Sequence, residues 1–356
     1  MTSNPFPTDE TYQEEILQGV SRTFALTIPQ LPPGLRRVVS NAYLLCRIAD
    51  TIEDDNALDS KTTRDFSNMF IDVVAGNVAA EDFARQLYPL LSDHTITEEH
   101  DLIKNTPAVI RITHSFNENQ RRALERCVRI MAQGMADYQD AESLDGLKDL
   151  PAMDEYCYYV AGVVGEMLTE LFCDYSAEIN RNRDRMMKLA VSFGQGLQMT
   201  NILKDIWEDR ERGACWLPQD IFLKEGFSLN ELSPGMSDVR FNRGLGTLIG
   251  VAKGHLREAL EYTLLIPAHE TGIRKFCLWA LGMAVLSLDK LNKNRAYSHG
   301  SEVKITRRSV KATVLLTSLF AGWNGALLGL FNYFSRNLPE TDIREKLSAQ
   351  GCTAIM

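Results

Sequence analysis

Two stretches of the chain set carboxylates at the spacing of a helix face: Asp50-Thr-Ile-Glu53-Asp54-Asp55 and Asn201-Ile-Leu-Lys204-Asp205-Ile-Trp-Glu208-Asp209. Residues three or four apart share one side of an α-helix, so Asp50, Glu53 and Asp54 gather on one face and Asp205 and Asp209 on another. Carboxylates stacked this way repel one another and are costly to remove from water. Their grouping makes sense around a cation. A hard divalent ion with oxygen ligands, such as Mg²⁺ sharing its sphere with phosphate oxygens, suits that donor set. A salt-bridged face turned to water is the competing reading. It fits the first stretch seen alone as well, and the second less well, because Phe193, Leu197, Ile202, Leu203, Ile206 and Trp207 surround it.

Both stripes carry further polar groups. Tyr43, Arg47, Asp50 and Asp54 follow one another at four, three and four residues, which sets a guanidinium fork for phosphate oxygens beside the acids. Gln198, Asn201, Asp205 and Asp209 follow at three, four and four, with Lys204 about 100° round the helix. Two such helices facing each other would clamp bridging Mg²⁺ and a diphosphate, drawing charge off a leaving group. The reaction class is ionisation of an allylic diphosphate to a carbocation, which must then be kept from water by apolar and aromatic walls. The run Tyr156-Cys-Tyr158-Tyr159-Val-Ala-Gly162-Val-Val-Gly165 supplies aromatics on a helix whose small residues permit close approach. A Tyr hydroxyl can relay a proton and a Tyr face can stabilise positive charge, although core packing explains the same cluster. Ser21-Arg22-Thr23-Phe24 is either a set of phosphate contacts or a helix end with a hydroxyl partner. The six histidines show no metal-ligand spacing, and Gly194-Gln-Gly196 lacks the third glycine and preceding strand of a dinucleotide fingerprint.

The elements that must position these residues read as helices throughout. Apolar periodicity predicts them near 9–21, 34–53, 61–75, 79–92, 117–139, 153–175, 182–208, 217–223, 240–265, 270–295 and 307–335, with prolines at 29, 32, 33, 107, 151, 218, 234 and 267 as breaks. Strand signals are nearly absent. We expect an all-α single-domain helical bundle over 1–338 with a central cavity, and a charged, frayed tail over 339–356. A formal charge of −9 excludes a broad nucleic-acid surface. Seven scattered cysteines without a CxxC pair suit free thiols in a reducing compartment, and no signal-peptide pattern opens the chain. Both point to the cytoplasm. Ala312–Phe331 is almost continuously apolar and about the length of a membrane span, but its three glycines and polar residues favour a buried bundle helix. Peripheral association with the inner face of a membrane is compatible with it.

Taken together, Ser21-Arg22-Thr23-Phe24, Tyr43, Arg47, Asp50-Thr-Ile-Glu-Asp-Asp55, Tyr156-Cys-Tyr-Tyr-Val-Ala-Gly162 and Thr200-Asn-Ile-Leu-Lys-Asp-Ile-Trp-Glu-Asp209 resemble the squalene and phytoene synthases, in order, over roughly residues 10 to 320. The resemblance implies the all-α class I isoprenoid synthase fold and head-to-head joining of two prenyl diphosphates with Mg²⁺. It implies that Asp50, Glu53 and Asp54 hold metal on one wall and Asp205 and Asp209 on the other. Ser21, Arg22, Phe24, Arg47, Gln198, Asn201 and Lys204 would contact or support the diphosphate substrates, and Lys204 stands where the family usually has Arg. Tyr156 would serve the proton step, Tyr43 would lie beside the reacting carbons, and Arg47 would join them in catalysis from its place at the diphosphates. Ile273-Arg-Lys-Phe-Cys277 and Val303-Lys-Ile-Thr-Arg-Arg308 look more like the squalene branch, of bacterial type, in which two farnesyl diphosphates pass through presqualene diphosphate and NADPH reduces it. Lys304, Arg307 and Arg308 would then hold the NADPH phosphates. Arg212-Gly-Ala-Cys-Trp-Leu-Pro-Gln219 reads partly like the carotenoid branch, and Ala280 and Leu281 stand where squalene synthases often carry Pro-Gln. A product left at dehydrosqualene, phytoene or presqualene diphosphate is therefore an open alternative. A non-catalytic, membrane-associated assembly factor is another, though such a protein need not keep both acid stripes.

Overall fold

The structure, a computed structural model, describes residues 8–21, 23–139 and 143–341. Two compact units emerge: residues 1–140 with 166–183, and residues 141–165 with 184–356. The expected catalytic region over 1–338 spans both. Along the chain run α1 (Asp9–Val20), α2 (Phe24–Thr27), α3 (Pro33–Asp54), α4 (Ser60–Ala75), α5 (Ala80–Leu87), α6 (Thr97–Lys104), α7 (Thr106–His114), α8 (Glu118–Gln139), α9 (Leu150–Cys157) and α10 (Val163–Tyr175). There follow α11 (Ala177–Asn180), α12 (Arg183–Lys204), α13 (Ile206–Glu211), α14 (Gln219–Leu223), α15 (Val239–Leu265), α16 (Thr271–Lys293), α17 (Gly300–Val303), α18 (Arg307–Leu319) and α19 (Asn324–Ser335). Among the described residues no strand forms; a lone bridge joins Leu147 to Pro218.

In the first unit, α3 is the element that carries chemistry. Pro33 opens it, where a missing N–H costs nothing. Val38, Ala42, Leu45, Ala49 and Ile52, at spacings of three and four, turn one face into the core against α4 and α8. The helix ends at Asp54 because Asp55 leaves the stripe. Its carboxylate accepts from Ser92 N at 2.9 Å, Thr95 Oγ1 at 2.6 Å and Ala57 N at 2.9 Å, which holds its pKa below the usual carboxylate range despite the opposing effect of burial. Asp55 is thus a strut between α3 and the segment before α6. Helices α6 and α7 were not expected. Pro107 reads as a breaker, yet it lies in the first turn of α7, where proline is tolerated.

In the second unit α15 and α16 form the centre, with α14, α18 and α19 packed on them. The Tyr156 helix is not continuous α-helix: a π turn over Tyr158–Gly162 joins α9 to α10. Pro151 sits in the first turn of α9, and Asp149 caps it by accepting from Ala152 N at 3.0 Å. Here glycines permit backbone-to-backbone contact. A Cβ on Gly194 of α12 would fall 2.6 Å from Gly162 N and closer still to the Ala161 carbonyl, and one on Gly165 would strike the Ala190 carbonyl.

The expected single helix over 307–335 is two helices, parted at residues 320–323. Buried Arg274 stabilises that turn, donating to Ala321 O at 2.9 Å and Asn324 Oδ1 at 2.8 Å, and to Ile266 O at 2.9 Å. Among the described residues one helix, Thr271–Lys293, is long and apolar enough to cross a membrane, and 56% of its apolar window is buried by neighbouring helices. The tail begins tied down. Leu338 is buried, and Lys253 Nζ donates to Leu338 O at 3.2 Å and to Glu340 Oε1 at 2.5 Å. Residues 342–356 lie outside the described residues. The six described cysteines are free thiols.

Candidate active site

On α3, the stripe predicted from spacing exists. Arg47 is its hinge: Nη2 donates to Tyr43 Oη at 3.1 Å, and Nη1 lies 3.9 Å from Asp50 and 3.4 Å from Glu99. Tyr43 in turn donates to Val20 O at 3.0 Å, so the phenol is oriented by the last turn of α1. Phe24 packs on the Tyr43 ring with centroids 5.1 Å apart. Burial opposes the charge of Arg47, but Asp50, Tyr43 and Glu99 outweigh it and hold the guanidinium firmly protonated. Its Nε is nonetheless buried, with no hydrogen-bond partner among the described residues. An orphaned guanidinium N–H is what an anionic oxygen would satisfy.

Asp50 has 27% of its side chain accessible, yet protein crowds its carboxyl. Desolvation pushes its pKa up to about 7; Arg47 opposes this, and the charges of Asp54 and Glu99 add to it. Glu99 is raised as well, chiefly by burial. This is the signature of carboxylates drawn out of water beside one another, an environment that a divalent cation relieves. Glu53 is half-buried and Asp54 exposed on the same turn. Glu99 is the residue that spacing along α3 could not reveal. Its only sequence signal is Thr97-Glu98-Glu99, the acid-rich first turn of a helix start. Ser21 takes the helix-end role: its Oγ accepts from Phe24 N at 2.9 Å. Arg22 lies outside the described residues.

In the second unit the stripe runs from α12 into α13. The helix breaks at Asp205, which caps α13 with φ −105° and ψ 19°. Asp205 N still donates to Asn201 O, and Asp209 N to Asp205 O, both at 2.9 Å, so the four-residue spacing survives the break. Gln198 is half-buried and Asn201 exposed. These acids have cations already. Lys204 Nζ lies 3.0 Å from Asp205 and 3.4 Å from Asn201 Oδ1, so it folds onto the stripe, where helix geometry had set it to one side. Arg212 pairs with buried Asp209 at 2.6 Å. Glu208 accepts from Gly300 N at 2.9 Å, pinning α17 to α13.

Tyr156 is buried and lies flat on Trp216, with ring centroids 4.1 Å apart and planes 5° apart. Trp216 and Asp209 meet Ile202, Ile206, Cys215 and Leu217 around a gap too tight to admit a water molecule. The phenol helix therefore sits beside the second carboxylate wall within one unit. A buried polar chain fixes it there. His255 Nδ1 lies 3.1 Å from Ser192 Oγ, which donates to Glu258 at 2.5 Å, and His255 Nε2 faces Asp154 Oδ1 at 3.8 Å. Gln195 Nε2 donates to Asp154 O at 3.0 Å. These contacts join α9, α12 and α15. Sequence reasoning set His255 aside for want of metal spacing and gave Trp216 no role. Lys304, Arg307 and Arg308 are exposed, the arginines in the first turn of α18.

The donor sets suit a hard ion. Each wall offers only carboxylates, and among the described residues no three candidate ligands converge on one point.

Residues 17–309 match the model of the squalene/phytoene synthase family. The chain is 28% identical to squalene synthase ERG9 of Saccharomyces cerevisiae, over 94% of this chain and 71% of that protein. It is 30% identical to the squalene synthase of Cyberlindnera jadinii, over 79% of this chain and 61% of that protein. It therefore spans between three-fifths and three-quarters of these relatives' length. Both relatives are fungal, where the sequence had suggested a bacterial-type likeness. A solved structure of TcSQS with the ligand E5700 shares the all-α fold, with a TM-score of 0.71 at 22% identity over 93% of this chain and 91% of that one. With the family's model covering both carboxylate helices and the Tyr156 helix between them, this chain belongs to the squalene/phytoene synthase family.

Proposed function

We propose that the protein is a Mg²⁺-dependent farnesyl transferase that joins two farnesyl diphosphates head to head through presqualene diphosphate, and that it reduces this intermediate with NADPH to squalene. The observation that carries the reading is that the family match, over residues 17–309, spans both carboxylate stripes and the Tyr156 helix. The names of the fungal relatives support the squalene product.

Asp50, Asp54 and Glu53 would hold metal on α3, and Asp205 and Asp209 at the α12–α13 junction. Bound there, Mg²⁺ supplies the positive charge that neutralises a departing diphosphate. The chain's own residues do the rest. Arg47 offers its orphaned Nε to a diphosphate oxygen, oriented by Tyr43 and Glu99. Ser21, Arg22, Phe24, Gln198, Asn201 and Lys204 are the further substrate contacts in this proposal. Ile202, Ile206, Trp216 and Leu217 exclude water beside Asp209. The Tyr156 hydroxyl takes or returns the proton, while its ring and Trp216 present π faces to positive charge. Lys304, Arg307 and Arg308 hold the NADPH phosphates by charge. Its place in the reducing cytoplasm, at or near a membrane, belongs to the same proposal.

The test is incubation with farnesyl diphosphate and Mg²⁺, with and without NADPH, and identification of products by mass. Squalene should form only with NADPH. An identical hydrocarbon in both reactions would remove the reductive half, in line with Ala280 and Leu281 on α16, and absence of diphosphate release would remove the transferase itself.

A further inference from the structure

Nothing in the local sequence ends α12 where it ends. From Leu197 to Arg212 the chain holds no proline or glycine, and its apolar periodicity reads as one helix through residue 208. The structure nevertheless breaks it at Asp205. A helix interrupted without proline or glycine has a group inserted into its ladder of backbone hydrogen bonds. Here that group is Tyr297. Its side chain is buried, and its hydroxyl donates to Leu203 O at 2.6 Å. That oxygen is one of the last carbonyls of α12, which a continuing helix would have satisfied. Burial raises the pKa of this phenol, and the charges of Asp205, Glu208 and Asp209 add to the rise, opposed by the Ile206 N–H. The hydroxyl thus lies beneath the carboxylate stripe, at the break itself.

The same segment holds the far side of the break. Trp207 Nε1 donates to Tyr297 O at 2.7 Å. The backbone of Tyr297 is therefore tied to the first turn of α13 while its side chain is tied to the last turn of α12. Three residues on, Gly300 N donates to Glu208 Oε1 at 2.9 Å. A Cβ on Gly300 would lie 2.7 Å from Glu208 Oε1, 2.9 Å from Lys204 O and 3.1 Å from Asp205 Oδ1, so only glycine lets this backbone close on the carboxylate. Contacts on both sides of Asp205 set the direction in which its side chain leaves the helix. We infer that Tyr297 is a positioning residue of the reaction: it holds the α12–α13 break and thereby aims Asp205 at metal, with Gly300 backing the carboxylate. This rests on the reading of Asp205 as a metal residue proposed above, and it adds a residue that acts through Asp205.

Tyr297→Phe keeps the ring and removes only the hydroxyl. The ladder should then re-form across Asp205, slowing amide exchange at Ile206, Trp207 and Glu208 by about tenfold. The half-saturating Mn²⁺ concentration, read by paramagnetic resonance with inorganic pyrophosphate present, should rise about tenfold with loss of this one buried hydrogen bond. Gly300→Ala should weaken Mn²⁺ binding to a similar extent through the carboxylate itself. Mn²⁺ uptake by Tyr297→Phe within twofold of the parent overturns this inference alone, and so does a lower melting point with exchange at residues 206–208 unslowed. An Asp205→Asn chain that binds Mn²⁺ like the parent overturns the metal reading of Asp205, and this inference with it. Should Tyr297→Phe fail to fold, the unmodified chain decides. Binding at Asp205 and closure of the 297–300 segment must reinforce each other, so Mg²⁺ with pyrophosphate should slow exchange of the Gly300 amide about tenfold. An unmoved Gly300 amide overturns the inference.

Discussion

Gly194→Ala is the sharpest probe of how the second unit is built. The added Cβ would lie 2.6 Å from Gly162 N and nearer still to the Ala161 carbonyl. Both obstacles are backbone, so no rotamer change relieves them. Restoring an ordinary 3.4 Å contact moves α12 away from the π turn by about 0.8 Å at the nitrogen, and further at the carbonyl. Overpacking of this kind costs about 3 kcal/mol at the upper end of its usual range, and the better helix propensity of Ala returns about 1. The net loss is about 2 kcal/mol, or a fall in Tm of roughly 4 °C or more. The displaced helix carries Gln198 and Asn201 and runs into Asp205, while the π turn continues the helix of Tyr156. A shift near 1 Å between catalytic groups can reduce turnover on the order of 100-fold. Thermal melting and steady-state release of diphosphate from farnesyl diphosphate measure the two effects, with Gly329→Ala as the control. A Cβ at Gly329 meets nothing within 4 Å, so that variant should gain about 1 kcal/mol and keep full turnover. If Gly194→Ala melts within a degree of the parent and turns over within twofold, the close packing of α12 on the π turn is wrong.

Tyr156→Phe keeps the flat stack on Trp216 and removes only the hydroxyl, so the first condensation should fall by roughly 100-fold with substrate affinity nearly unchanged; equal losses in both would reduce Tyr156 to packing. Glu99→Gln should raise the half-saturating Mg²⁺ concentration about fivefold, since Arg47 freed from Glu99 turns to Asp50 and a partly buried pair is worth about 1 kcal/mol. An unchanged Mg²⁺ curve would show that Glu99 does not position Arg47. Asp50→Asn should abolish turnover yet stabilise the metal-free protein at pH 8. A carboxyl raised to about 7 contributes fully below its unfolded pKa near 4, and that contribution is lost as pH rises through 7. In chelator the variant should therefore melt higher than the parent at pH 8, with the gap narrowed by pH 5 and closed near pH 4, and a lower melting point at both pH 8 and pH 5 would contradict the crowded carboxyl.

Much of the fold was legible because long amphipathic helices announce themselves. The apolar spacing of α3, α8 and α15 located them within a residue or two. Errors fell where one residue type has two meanings. Pro107 ends helices in general, but in the first turn of α7 its missing N–H goes unneeded. Ala312–Phe331 reads as one apolar run, and what divides it is Arg274 of α16, a residue remote in sequence that takes up the carbonyl of Ala321. Likewise Asp205 sits in good helical spacing, and the interruption there leaves the backbone hydrogen bonds of the stripe intact, so periodicity gives no sign of it.

The site divides along the same line. Spacing within one helix is a local property, so the stripes on α3 and across α12–α13 could be read directly. Whether a carboxylate is crowded or compensated depends on what other elements bring to it. Asp50 and Asp209 are alike in sequence, each in an acidic helical run beside an arginine. In the structure Glu99 arrives from α6 to add negative charge beside Asp50, while Arg212 closes on Asp209 at 2.6 Å. The same motif thus yields a wall of carboxylates drawn out of water beside one another and a wall already holding its own cation. A divalent ion entering at α3 relieves repulsion, whereas one entering at Asp209 competes with a formed ion pair. The acid count sets the capacity for metal, and the neighbouring helices set how strongly each wall calls for it.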